Sequence, residues 1–263
     1  MVREGEDDDD IVCLDESFFV NDDYQLTRFA YGSQVLELYC LQSASTDFDL
    51  TGQLVWPGAE LMNDYLSKHY EMLRGCSVIE LGIKTSELQN MNCIDSLCFS
   101  SKKNELIDHY AGITGILCSR FCSKVVLTDH NDEVLKILKR NIELHQSSQE
   151  SHCLATEKLE WGNSEQLNNI LQKHPEGFDL VLGADICFQQ SSIPLLFNTV
   201  GKLLRRSQCK TCKFILAYVS RAKVMDNLVV SEASQQGLHI NEVAGTRTVV
   251  KNLGGVIYEV TSR

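Results

Sequence analysis

A chain of 263 residues, 43 % apolar and 23 % charged, has the composition of a soluble globular protein and the length to bury a core without staples. No apolar run approaches the ~20 residues of a membrane helix, and the acidic start MVREGEDDDDIVCLDE lacks the apolar segment of an export signal. With a net charge of −12 and no basic patch interleaved with aromatics, the chain is a poor fit to nucleic acid as its main partner.

Residues 1–12 read as a solvated acidic tail and 13–263 as one domain. The eleven cysteines are scattered and odd in number. Without an export signal they read as free thiols of a reducing compartment, the cytoplasm, with the nucleus also open. Cys209-Lys-Thr-Cys212 is the one CxxC, and no second ligand pair stands at a spacing suited to zinc. It reads as two ordinary thiols before a strand, and no metal site is expected.

Residues 24–56 alternate in the β manner between polar turns and predict a short antiparallel unit. VWPGAELMNDYLSKHY then predicts an amphipathic helix, with Pro57 at its start. From there strands and helices alternate. CSVIELG is a buried strand, GITGILCSRF opens a helix, and KVVLTD is a strand ending in Asp129. NDEVLKILKRNIELH is a helix that either Asn131 or Asp132 can cap. LATEKLEW is a weaker strand and FDLVLGADICF a strong one. SIPLLFNTVGKLLR is a helix, KFILAYVSR a strand, and GLHINEVAGTRTVVKNLGGVIYEVTSR two strands around a turn. This order predicts an α/β fold: a parallel sheet with helices on both faces, closed by a C-terminal antiparallel pair. Right-handed crossovers put every strand-to-helix loop on one edge of such a sheet.

Four elements fall on that edge. Glu80-Leu81-Gly82 ends one strand, and Gly112-Ile-Thr-Gly115 opens the next helix, where glycines permit close approach and a helix start offers free N–H groups. Asp129 suits a ribose diol. Trp161 offers a flat surface to an adenine ring. Asp185 leaves the fourth strand in Gly183-Ala184-Asp185-Ile186-Cys187-Phe188. Each also has a plain reading: a turn at the glycines, a helix cap at Asp129, core at Trp161, a strand end at Asp185.

In this order VWPGA, VIELG, GITGILCSRF, VVLTDH, LEWG and LVLGADICF resemble methyltransferase family 16, Rossmann-like seven-strand enzymes that use S-adenosylmethionine. The resemblance implies methyl transfer to a protein substrate, with lysine as acceptor and arginine as the alternative; a monomer is expected. It implies that Trp56, Glu80, Gly82, Gly112, Asp129, Trp161 and Ala184 line the cofactor site, with Glu80 at the cofactor's amino-acid end. Asp185 and Phe188 match the family's Asp-x-x-Tyr motif beside the acceptor nitrogen, with Asp185 placed to orient N–H bonds and Phe188 to pack on the side-chain stem. A small-molecule methyltransferase on the same fold stays open. A nicotinamide oxidoreductase calls for GxGxxG where this chain has ELG.

Two departures stand out. Phe188 replaces a tyrosine. The family's ELGxGxGxxG loop has three residues between the glycines matched by Gly82 and Gly112, whereas this chain has the twenty-nine of Ile83–Ala111. So long a stretch inside a compact unit reads as an insertion, from alternative splicing or a gene-model error, with a regulatory surface loop as the rival. An insertion there also admits a catalytically impaired binding protein.

Overall fold

The computed structural model describes residues 24–41, 56–82, 112–145, 153–187, 189–209 and 211–262. The acidic tail 1–12, the 42–55 part of the N-terminal unit, the 83–111 stretch and Phe188 lie outside the described residues.

The predicted antiparallel unit is a hairpin of β1 (Tyr24–Tyr31) and β2 (Gln34–Leu41). Its turn holds Gly32 at φ +56°, the left-handed region that glycine enters without steric cost. Helix α1 (Pro57–Lys68) follows, with Trp56 at its N-cap. Proline suits the first helical position because its missing N–H has no partner there in any case. Then come β3 (Ser77–Leu81), α2 (Ile113–Cys118), β4 (Lys124–Asp129), α3 (Asp132–His145), β5 (Leu154–Lys158), α4 (Ser164–Lys173), β6 (Leu180–Ala184), α5 (Ile193–Arg206), β7 (Lys213–Val219), α6 (Lys223–Gln235), β8 (Leu238–Glu242), β9 (Thr248–Val250) and β10 (Leu253–Ser262).

The main sheet runs β5-β4-β3-β6-β7-β10-β8, with β9 paired to β10. Strands β3 to β7 are parallel; β10 runs antiparallel to β7, β8 and β9. The end of the chain therefore has three strands where the sequence predicts two. The additional one, β9, turns into β10 through Lys251 and Asn252, both at positive φ. Helices α4 and α6 were not foreseen as elements. Asn163 caps α4, its side chain accepting from the backbone N–H groups of Glu165 and Gln166 at 3.1 Å each.

The pleat divides the strands' side chains between two cores. Val78, Val125, Leu127, Leu180, Leu182, Ile215 and Ala217 pack with α1, α2, α3 and the hairpin residues Leu36 and Leu38. Ile79, Leu81, Val126, Val181, Phe214 and Leu216 pack with α4, α5 and α6. Both faces of the sheet are thus covered, as the run of apolar strands predicts. The order reverses at β3, which pairs with β4 on one side and β6 on the other. In open α/β sheets the ligand crevice lies outside the carboxyl ends of the strands at such a point. Among the described residues no helix is long and apolar enough to cross a membrane.

Candidate functional site

Strand β3 delivers Glu80 and Gly82 to that crevice. Glu80 is fully buried, and its Oε2 accepts from the backbone N–H of Gly115 at 2.8 Å. The Thr128 hydroxyl donates to the Glu80 carbonyl at 2.8 Å, fastening β3 to β4 at the same level. A carboxylate at the start of a helix also suits the local dipole. Gly115 admits no side chain: a Cβ there would stand 2.0 Å from Leu127 Cδ2 and 2.7 Å from Glu80 Oε2. Gly112 caps α2 at φ +67°. Both glycines therefore serve the seating of α2 on the sheet. Thr114, between them, is fully buried, and its hydroxyl has no hydrogen-bond partner among the described residues.

Gly82 marks a close approach of β3 to β4, since a Cβ there would meet the Thr128 carbonyl at 2.2 Å and Asp129 Oδ2 at 2.4 Å. Asp129 is 3 % exposed; its Oδ1 accepts from Asn131 N at 2.8 Å, with His130 Nδ1 at 3.2 Å. Of the two candidate caps for α3, Asn131 takes the role: its side chain accepts from Val134 N at 3.3 Å. Asp129 supports that cap from one oxygen, and its other oxygen lies against Gly82. The structure thus brings Glu80, Gly82, Gly112 and Asp129 together.

Trp161 is 1 % exposed and packs in the core with Leu159, Leu167 and Phe197, just past the end of β5. Ala184, 2 % exposed, ends β6.

Asp185 follows directly after β6. It sits at φ +57°, unusual for a residue with a side chain, and is 2 % exposed. Its backbone N–H donates to the Ala217 carbonyl at 2.9 Å. Its carboxylate is already occupied. Gly58 N donates to Oδ2 at 3.0 Å, while Arg221 donates from Nη1 to Oδ1 at 2.6 Å and from Nη2 to Oδ2 at 2.9 Å. Asp185 thus joins the start of α1 to the ends of β6 and β7, with both carboxylate oxygens engaged. The Arg221 guanidinium in turn lies 5.4 Å from the centre of the Trp56 ring. Arg221 and Gly58 were missed in the sequence, although YVSR placed a cation just past a buried strand on the ligand edge. Beside this cluster Asp226 accepts from the Tyr218 hydroxyl at 2.6 Å and the Ser220 hydroxyl at 2.9 Å. Burial, and after it the hydrogen bond to Asp226, pushes the Tyr218 phenol well up.

Residues 109–234 match the protein family described as lysine methyltransferase, family 16. Over those residues the chain is similar to this family. The family match opens at 109, so it lies beyond most of the 83–111 stretch. Protein N-lysine methyltransferase METTL21A of Mus musculus is 27 % identical over 57 % of this chain and 54 % of its own length. Protein-lysine N-methyltransferase EFM3 of Saccharomyces cerevisiae is 25 % identical over 81 % of this chain and 56 % of its own. The chain thus spans a little over half the length of these two relatives. Among solved structures, the magnesium protoporphyrin IX methyltransferase of Synechocystis PCC 6803 with bound SAM superposes with a TM-score of 0.50 at 9 % identity, covering 78 % of this chain and 79 % of that one. That likeness is one of fold and agrees with the family's seven-strand sheet.

Proposed function

We propose that this chain is an S-adenosylmethionine-dependent protein N-methyltransferase acting on lysine. The observation that carries the reading is the convergence of Glu80, Gly82 and Asp129 at the switch point of the sheet, against the first turn of α2. The residues present fit the cofactor. Glu80 and the α2 backbone would hold its amino-acid end, Asp129 its ribose, and the buried Thr114 hydroxyl has hydrogen-bonding capacity to spare. Gly82 keeps that edge bare. When bound, the cofactor supplies a methyl group already activated on a sulfonium, so the protein's task is to position the acceptor.

The lysine assignment draws on the relatives named above, both lysine enzymes by name. A lysine reacts as the free amine, and its reference pKa of ~10.4 makes that form cost roughly 4 kcal/mol near neutral pH. Burial lowers the cost by disfavouring the cation. Eight described cysteines are free thiols. Burial pushes those of Cys40, Cys76 and Cys212 up to about 11. This supports a cytoplasmic or nuclear setting, and we take the protein to work as a monomer on a protein substrate.

Calorimetric titration with S-adenosylhomocysteine tests the cofactor assignment. Saturable one-to-one binding is expected; a folded protein that gives no binding heat contradicts it.

A further inference from the structure

The end of β6 holds an ion pair that the reading above leaves without a task. Asp185 keeps a left-handed backbone at φ +57°, a conformation that costs a residue with a side chain and persists only where its surroundings impose it. The imposition here comes from three donors: Gly58 N and both terminal nitrogens of Arg221. The Asp185 side chain is 1 % exposed, whereas that of Arg221 is 28 % exposed. What this part of the ligand edge offers a visitor is therefore a guanidinium beside the Trp56 ring, with the carboxylate behind it.

The neighbouring acids and the nearby thiol are also engaged or neutral. Burial pushes the Cys187 thiol far up, so it stays protonated. Asp226 on α6 is taken by Tyr218 and Ser220. Glu60 on α1 pairs with Lys251 of the β9–β10 turn at 2.9 Å. Among the described residues this cluster keeps no carboxylate in reserve for an incoming cation.

We propose that Arg221 determines acceptor specificity, acting through Asp185. By occupying both carboxylate oxygens it denies an incoming cation its counterion. The subsite then admits a lysine only as the free amine, after the ammonium has released one proton to bulk water, and it excludes arginine, whose guanidinium keeps its charge. This rests on the methyl-transfer reading above and deepens it.

The test uses Arg221→Met, Arg221→Lys and the double variant Arg221→Met with Asp185→Asn. S-adenosylhomocysteine binding by the unaltered protein comes first, because its absence brings down the methyl-transfer reading and this inference with it. Where binding is intact, thermal unfolding gives a readout that needs no turnover. Arg221→Met should lower Tm by leaving a buried carboxylate unpaired, and adding Asp185→Asn should restore part of the loss. Strictly additive losses overturn the coupling. Methyl transfer from labelled cofactor into the proteins of a cell extract is then followed against pH. In Arg221→Met the half-maximal pH should rise by about one unit, because an uncovered carboxylate stabilises the ammonium. Labelled arginine should appear in the same variant. Arg221→Lys, with a single ammonium in place of the two-nitrogen fork, should shift the profile less than Arg221→Met does, and the double variant should return to the original. An unshifted profile in Arg221→Met with lysine still the only labelled residue overturns the proposal. Should Arg221→Met fail to fold, the profiles of Asp185→Asn alone and of the double variant decide: the double variant should match the unaltered protein and Asp185→Asn alone should lie at or below it, and a rise in either overturns the proposal.

Discussion

Asp129 divides one carboxylate between two duties. Oδ1 fixes the turn into α3 through Asn131 N, and Oδ2 faces the bare backbone of Gly82. On the reading proposed above, the second serves the cofactor. Asp129→Ala should therefore weaken S-adenosylhomocysteine binding by ~1.5–3 kcal/mol, the scale of a hydrogen bond to a charged group. Calorimetry on a variant shown by circular dichroism to be folded checks this; unchanged affinity removes Asp129 from the site. At this scale the sequence disclosed residue types and their order along the edge, and much less about contacts. Glu80 and Gly115 were both visible, but their bond spans thirty-five positions, and no local pattern encodes it. Asp185 looked like a free acid because its partners come from α1 and from the residue two places beyond β7. Trp161 could be core or platform on composition alone, and its burial came only with the fold.

Strands were easier to read than helices, and the reason is their double coverage. Each central strand is apolar on both faces, so it appears as an uninterrupted run bounded by polar turns. Helix α4 escaped notice because it buries little, with Leu167 and Ile170 as its fully enclosed residues. Helix α6 escaped because Val224 and Val230 are exposed while Met225, Val229 and Ala233 are buried, which blurs its period. Strand β9 is three residues long, too short for a period. The N-terminal hairpin docks by polar ties as well as by Leu36 and Leu38. Asn141 binds both backbone groups of Tyr39, Arg120 donates to the Val35 carbonyl at 2.6 Å, and His145 donates from Nε2 to the Glu37 carbonyl at 2.9 Å.

Burial lowers the pKa of His145 from its ordinary 6.5. A histidine with a depressed folded-state value contributes stability that is present above pH 6.5 and is lost as pH falls through that lower value. The hairpin should loosen on mild acidification. Protein carrying His145→Gln keeps a donor without the titration. Its Tm should fall less than that of the unaltered protein between pH 6.5 and about 5; equal falls would show that the imidazole plays no part.

At the scale of the molecule, strand order decides where a ligand site can be built. With β3 between β4 and β6, and β10 antiparallel at the far side, the chain has one edge where four parallel strands deliver polar ends. The family's pattern and the fold agree there, which is why the class was legible before any contact was known. In sequence, the stretch Ile83–Ala111 stands between two parts of that edge, Gly82 and Gly112. Its two flanks lie together, since Glu80 and Gly115 share a 2.8 Å hydrogen bond. A three-residue turn with a central glycine would close the same gap. Loop-closure entropy grows only with the logarithm of length, so the stretch need not weaken the fold. In sequence it stands between the first strand and the helix whose N–H group bonds Glu80. The shortened chain should bind S-adenosylhomocysteine at least tenfold more tightly, about 1.4 kcal/mol. Equal affinity in the two forms would make the stretch a tolerated loop.

The central claim is transfer of a methyl group to a lysine of another protein. Its most direct test is incubation of the purified chain with a cell extract and methyl-labelled S-adenosylmethionine, followed by mass spectrometry of the labelled proteins. The account predicts label on lysine Nζ, dependent on Asp129. A folded chain that binds the cofactor yet labels no protein lysine would contradict it.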